Sequence, residues 1–164
     1  GGVLGVQSGG RLQVTVEALR MFALVPARER PRGIVSAGTT LLRAWRTRGE
    51  EKPYMFGHGR RFVAGKWPPT WYDASAVLEA LGRYPKIWKG RSAAPEDRTS
   101  AAEIIRAISS TFGADGMVTP RSCYKGFEDY SFGQKKKPSP WATARLCGLL
   151  RVFSAVAGTD EGDS

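Results

Sequence analysis

Apolar residues recur at helical spacing in five separate stretches of the chain. The first stretch predicts a helix from Leu12 to about Val25, which stops at Pro26. The residues on its apolar face are Leu12, Val16, Leu19 and Ala23. Its opening also alternates apolar and polar residues, so a strand stays an alternative for this segment.

The second stretch begins after Pro31 and divides cleanly into two faces. The apolar side carries Ile34, Gly38, Leu41, Leu42 and Trp45. The opposite side carries Arg32, Ser36, Thr40, Arg43 and Thr47. This division is typical of a helix that is half buried against a core.

The third and fourth stretches begin with the spacing of a capping box, in which an N-cap side chain and an acidic residue bond each other's backbone. Thr70 and Asp73 predict such a start for the third helix, which continues to residue 84 before Pro85. Ser100 and Glu103 have the same spacing, and the fourth helix is predicted to end before Gly113.

The fifth helix is predicted to open with Ser139 as its cap and Pro140 at its first position, and to end near Gly158. Placed over the third helix at an offset of 69 residues, it matches in both its start signal and its apolar positions. The matching pairs are Thr70 with Ser139, Tyr72 with Trp141, Val77 with Leu146, Leu81 with Leu150, and Tyr84 with Phe153. The second and fourth helices match at nearly the same offset.

These matches predict an all-α fold of repeated helical hairpins, each consisting of a helix, a long loop and a second helix. The hairpin domain is expected to cover residues 11–158 as a single domain. Glycine-rich residues 1–10 are expected to be a flexible lead-in, and acidic residues 159–164 a disordered tail.

Charge and cysteine content narrow the classes of function. The chain has 25 Lys and Arg against 15 Asp and Glu, a net charge of +10, which attracts nucleic acid, acidic lipid or a phosphorylated ligand. Two cysteines without metal-ligand spacing and a single histidine predict neither a disulfide framework nor a metal site. No stretch has the length and composition of a membrane span or signal peptide, so a cytoplasmic location is expected.

No nucleotide-cofactor motif is present, and no cofactor is predicted.

Two long segments between the predicted helices combine aromatic, glycine and basic residues. Residues 54–67 form the first tract, and residues 124–137 form the second. Because each tract precedes one of two matching helices, both are expected to lie at the same end of the domain. There they would form one surface with aromatic and basic side chains. The alternative is that the rings close the ends of the helical layer while the charged groups stay in water. The proposed ligand-binding residues, with the neighbouring helix starts included, are Tyr54, Phe56, His58, Arg60, Arg61, Trp67, Trp71, Tyr72, Tyr124, Lys125, Phe127, Tyr130, Phe132, Lys135 and Trp141.

Only two residues are candidates for acid–base catalysis. His58 lies between two glycines and would titrate near neutral pH, but no nucleophile or paired carboxylate accompanies it in the sequence. Asp73 is explained more simply by helix capping than by a role as proton donor.

The segment from Trp67 to Asp73, and the passage from Ile104 to Met117, resemble repeats of the squalene and terpene cyclases and of protein prenyltransferase β subunits. The resemblance implies stacked helical hairpins arranged as an α/α toroid. Met117 follows Gly116 where that pattern has tryptophan, and the family's acidic catalytic motifs and zinc ligands are absent. Five helices cannot close such a toroid, so the resemblance implies an open arc, a half that pairs with a second copy as a homodimer, or a fragment with a missing second half.

Three hypotheses of function follow. The first is a non-catalytic binding module whose rings hold a hydrophobic, isoprenoid-like body and whose basic residues neutralise a phosphorylated head. The second is nucleic-acid binding through the same rings and cations. The third is a terpene cyclase-like or prenyltransferase-like enzyme with Asp73 or His58 as its acid.

Overall fold

The computed structural model describes residues 11–51, 67, 73–130 and 136–157, and a proline or a side-chain cap marks the start of four of the helices in these residues. The six α-helices of these residues are α1 Arg11–Phe22, α2 Ile34–Arg46, α3 Ala74–Leu81, α4 Pro85–Trp88, α5 Pro95–Ser109 and α6 Pro140–Ala157. A short 3₁₀ turn, Ala27–Glu29, lies between α1 and α2. Pairing between extended segments is limited, in the described part, to two isolated bridges. The all-α prediction is confirmed.

The start of α6 is confirmed as the sequence predicts it. Ser139 is buried, and its Oγ accepts a hydrogen bond of 3.2 Å from the Ala142 amide, while Pro140 occupies the first helical position. The helical prediction for the first stretch is also correct, because residues 11–22 form α1 rather than a strand.

Two other helix starts differ from the prediction. Asp73 is itself the N-cap of α3, with its Oδ1 accepting from the Ala76 amide at 3.1 Å, so the helix begins after Asp73 rather than at the preceding threonine. Helix α5 begins at Pro95, five residues before the predicted Ser100. A proline at the first position and the acidic pair Glu96 and Asp97 in the first turn favour the earlier start. Ser100 instead donates its hydroxyl to the Glu96 carbonyl within the helix.

Helix α3 is the centre of the fold. Every residue of α3 except Glu79 is buried, as expected of a helix with apolar or small residues all round. It packs against α1, α4, α5 and α6. Helix α4 is not predicted by the sequence pattern, in which Pro85 only marks the end of the third helix. In the structure, Pro85 starts this short helix, and Ile87 and Trp88 of α4 are buried in the core.

Helix α2 packs on α5 and α4 through the face predicted from its pattern, and Ile34, Leu41 and Trp45 are buried as expected. A nearly buried carboxylate joins α2 to α5. Arg46 Nη1 donates to Asp97 Oδ1 at 2.6 Å and to Ser100 Oγ at 3.1 Å. These contacts hold the end of α2 against the start of α5.

Candidate functional site

The described part of the second aromatic tract, residues 124–130 and 136–137, belongs to the connection between α5 and α6. Gly113 and Met117 close a turn through a hydrogen bond of 2.8 Å from the Gly113 amide to the Met117 carbonyl. Within it, Gly116 adopts a φ of +73°, which favours glycine. The chain is then attached to α6, because the Val118 amide donates to Thr143 Oγ1 and the Ser139 amide donates to the Val118 carbonyl. The start of α6 therefore positions this loop.

The two tracts meet at Trp67. The Trp67 amide donates to the Ser122 carbonyl at 2.9 Å, and the Tyr124 amide donates to the Trp67 carbonyl at 2.8 Å. The Trp67 ring packs edge-on against the Trp141 ring, with centroids 5.4 Å apart. Trp67 is buried, whereas Trp141 is 43% exposed, so Trp67 supports a ring that solvent can reach.

Further rings line the second tract. The Phe127 and Tyr130 centroids are 5.9 Å apart, and Tyr130 is 55% exposed. The Phe127 amide donates to the Tyr124 carbonyl, so the tract turns back on itself between these rings, with Lys125 exposed in the turn. We call Trp67, Tyr124, Lys125, Phe127, Tyr130 and Trp141 the aromatic–basic face.

Asp73 lies within electrostatic reach of this face. Burial raises the pKa of its carboxyl above the usual 3.8, although hydrogen bonds from Ser75 and Ala76 and the charge of Arg145 oppose that rise. Burial also raises the pKa of the Tyr124 hydroxyl, and the negative charge of Asp73 raises it further. Both groups therefore lose their protons at a higher pH than usual.

The bonds of Asp73 are those of a helix cap. Its Oδ1 accepts from Ser75 Oγ at 2.5 Å and from the Ala76 amide at 3.1 Å. The cap accounts for the position of this carboxyl at the first turn of α3.

Nine of the proposed binding residues lie outside the described residues. They are Tyr54, Phe56, His58, Arg60, Arg61, Trp71, Tyr72, Phe132 and Lys135. The expected juxtaposition of Arg60 with Lys135 therefore stays a prediction. The structure does bring together Trp67 and Tyr124 through backbone bonds, and Trp67 and Trp141 through their rings.

A groove lies between the end of α3 and the middle of α6. This α3–α6 groove has a volume of about 220 Å³ and is lined by Glu79, Gly82, Arg83, Arg145, Gly148, Leu149 and Val152. Glu79 accepts from Arg20 at 2.7 Å and from Arg145 at 3.3 Å. The groove continues the α6 surface that begins with Trp141, because residues 141, 145, 148 and 152 recur at helical spacing.

None of the groove residues was predicted from the sequence as part of a site. The available signal was Gly148 in the interior of a predicted helix, one turn beyond Arg145. Glycine at such a position weakens a helix and can mark a close approach to the backbone. Glu79 and Arg83 gave no signal, because the packing of α3 on α6 decides that they face this groove.

The fold and the site together define an all-α protein with an aromatic–basic face and an adjoining groove. No protein-family model matches the chain, and neither a curated protein nor a solved structure shows significant similarity to it. Within the described residues, no three or more His, Cys, Asp or Glu side chains are grouped as metal ligands would be. No helix found among those residues combines the length and apolar character needed to cross a membrane.

Proposed function

We propose that the protein is a binding module for a ligand with an apolar body and an anionic head, held at the aromatic–basic face. The observation that carries the proposal is the exposed Trp141 ring, which packs edge-on against the buried ring of Trp67. The backbone of Trp67 is in turn hydrogen-bonded to that of Tyr124, so these three aromatic residues are neighbours. A ring held in place before binding loses little conformational freedom when a ligand covers it.

Charge supports an anionic head for the ligand. The described part of the connection that carries the face has exposed Arg121, Lys125, Lys136 and Lys137 against Asp115, Glu128 and Asp129, a net charge of +1 for these seven side chains. Glu128 is engaged in the turn, because its Oε2 accepts from the Gly126 amide at 2.6 Å. A phosphorylated or diphosphate head would complement the remaining positive charge.

An isoprenoid-like body would satisfy the apolar requirement, and the resemblance to cyclase repeats favours it. The same resemblance underlies the proposal that the hairpins form part of a toroid-like arc. One feature supports that arc: Val77 and Leu146, which match in the sequence, are both buried.

The test is isothermal titration with geranyl diphosphate as the probe, alongside geraniol and inorganic pyrophosphate as its separate halves. We expect the intact probe to bind at least tenfold more tightly than either half, because rings and cations each contact one part of it. Trp141→Ala should weaken binding about tenfold, near the lower value measured for a stacked ring. Met21→Ala, which removes another exposed apolar side chain on α1, is the control and should have no effect.

Equal binding of pyrophosphate and geranyl diphosphate would contradict the proposal, since the rings would then contribute nothing. Unchanged affinity in Trp141→Ala would contradict it in the same way.

Nucleic-acid binding is the second candidate. The observation that favours it is that Tyr130 and Trp141 are both open to solvent rather than enclosed, as stacking platforms for single strands are. An oligonucleotide that binds more weakly to Trp141→Ala at constant salt would support this candidate.

A further inference from the structure

We infer that the α3–α6 groove is a separate binding site for a small monocarboxylate with a short apolar chain. The inference does not depend on the proposed function, because none of the groove residues belongs to the aromatic–basic face. It rests on the shape of the groove, on its charge and on one glycine.

Gly148 is the first argument. It lies in the interior of α6, where glycine is less favourable than alanine by about 0.5–1 kcal/mol. A Cβ added there would meet nothing within 4 Å, so packing does not require a glycine. Its effect is to leave the helix backbone exposed where Gly148 lines the groove. By contrast, a Cβ at Gly82 would lie 3.2 Å from Val152 Cγ1, so close packing of α3 on α6 explains that glycine.

Charge is the second argument. Arg83 and Arg145 against Glu79 give the lining a net charge of +1. Arg83 is exposed and forms no hydrogen bond or ion pair with any residue that the structure describes. Glu79 is held more closely by Arg20, at 2.7 Å, than by Arg145, at 3.3 Å. Arg83, with Arg145 beside it, can therefore accept one carboxylate without leaving Glu79 unpaired.

Size and polarity complete the ligand class. A volume of about 220 Å³ holds about seven groups of the size of a water molecule, at about 30 Å³ each. Leu149 and Val152 supply the apolar wall, and Val152 is 42% exposed without a ligand. A carboxylate with a chain of about five carbons fills this space, with its head at Arg83 and its chain over Gly148.

The test uses hexanoate as the probe, with hexanol and hexylamine as neutral and cationic controls. Binding is followed by ¹H–¹⁵N NMR of the full chain. We expect hexanoate to bind in the millimolar range and to shift the amides of residues 145–152, and we expect hexanol and hexylamine to bind at least tenfold more weakly.

Three variants locate the site. Gly148→Leu fills the groove without meeting another atom at its Cβ, and Arg83→Gln removes the unpaired charge; each should weaken hexanoate binding at least tenfold. Arg151→Gln removes an exposed charge from the same helix outside the groove and should leave the affinity unchanged. Trp141→Ala should also bind hexanoate normally, which separates this site from the aromatic–basic face.

Equal affinity for hexanoate and hexanol would overturn the inference, because the arginines would then have no role. Unchanged binding to a folded Gly148→Leu variant would overturn it as well, because the chain would then lie elsewhere.

Discussion

Asp73 shows how one buried side chain makes stability depend on pH. Burial raises the pKa of its carboxyl above 3.8, so the folded state favours the protonated form. Protonation of Asp73 stabilises the folded state fully when the pH is below the pKa of Asp73 in the unfolded chain. This stabilisation is lost as the pH rises through the pKa of Asp73 in the folded chain, by up to about 1.4 kcal/mol per pH unit. Asparagine cannot ionise and can still cap the helix. We therefore expect Asp73→Asn to unfold at higher urea than the native chain at pH 7, and this advantage to vanish at pH 3.

Two controls separate the charge of Asp73 from its cap. Asp73→Ala loses the hydrogen bond to the Ala76 amide and should be about 1 kcal/mol less stable than Asp73→Asn at both pH values. Asp129→Asn, an exposed carboxylate in the loop, should change stability little at either pH. A native chain that is more stable than Asp73→Asn at pH 7 would contradict the argument from burial.

Arg46 is the residue whose loss we expect to be most damaging among the ion pairs of the described chain. Asp97 is only 3% exposed, and Arg46 donates to it at 2.6 Å. Arg46→Ala leaves this carboxylate buried without its cation, which should cost about 2–4 kcal/mol, moderated by the one-third exposure of Arg46. Arg43→Ala breaks an exposed pair with Glu51 and should cost less than about 1 kcal/mol. If urea denaturation shows that Arg46→Ala and Arg43→Ala lower the free energy of unfolding equally, burial of Asp97 does not strengthen its ion pair.

The roles of some of these residues can be predicted from their neighbours in the sequence, whereas the roles of others depend on contacts between distant helices. Ser139 was identified as a cap because a proline follows it and an apolar pattern begins there. Ser100 and Glu103 had the right spacing but do not cap, since Pro95 opens the helix earlier. Glu103 accepts from Trp45 Nε1 at 2.9 Å instead, a contact 58 residues apart in sequence that no local pattern reveals.

The contact between α2 and α4 depends on Gly38. A Cβ at this position would lie 2.5 Å from Ile87 Cδ1, closer than real contacts allow. Gly38→Ala should therefore destabilise the protein by about 1–3 kcal/mol, despite the better helix propensity of alanine. Shortening the partner in Gly38→Ala/Ile87→Val removes the clashing atom and should recover part of the loss. Thermal unfolding with two-state analysis measures both.

Gly148→Ala is the matched control for Gly38→Ala. Both glycines lie inside helices, but a Cβ at Gly148 meets nothing within 4 Å. Gly148→Ala should stabilise the protein by about 0.5–1 kcal/mol, so the two substitutions should act in opposite directions. Destabilisation by both would mean that helix α6 is itself intolerant of a side chain at residue 148.

Periodicity predicted the helices better than it predicted their partners. All five residues predicted for the apolar face of α2 are buried, and of the buried residues of this helix the prediction omits only Ala44, because the opposite side of the helix remains in solvent. Helix α3 has no such contrast, since seven of its eight residues are buried, and its central place could not be predicted from its own pattern. The α3–α6 groove was missed for the same reason: it exists only where two helices from distant parts of the sequence pack together.

The net charge of +10 belongs to the whole molecule, and its effects should differ from those of the aromatic–basic face. A protein with this charge attracts any polyanion, and the attraction weakens as salt replaces the released counterions. About three phosphate contacts to a single strand predict a slope near −2 in log K against log salt, so affinity should fall by roughly 20-fold between 50 and 200 mM salt.

We expect oligo(dT) to follow this steep slope and to bind Trp141→Ala as well as the native chain, because charge alone drives the association. Geranyl diphosphate should lose less affinity than the oligonucleotide over the same salt range, because only its head contacts cations, whereas the contact of its apolar body with the exposed ring does not depend on ions. Fluorescence anisotropy and calorimetry at matched salt measure the two slopes. If the oligonucleotide shows the shallower slope and binds Trp141→Ala more weakly than the native chain, the rings bind nucleic acid, and the proposal of an apolar ligand with an anionic head is wrong.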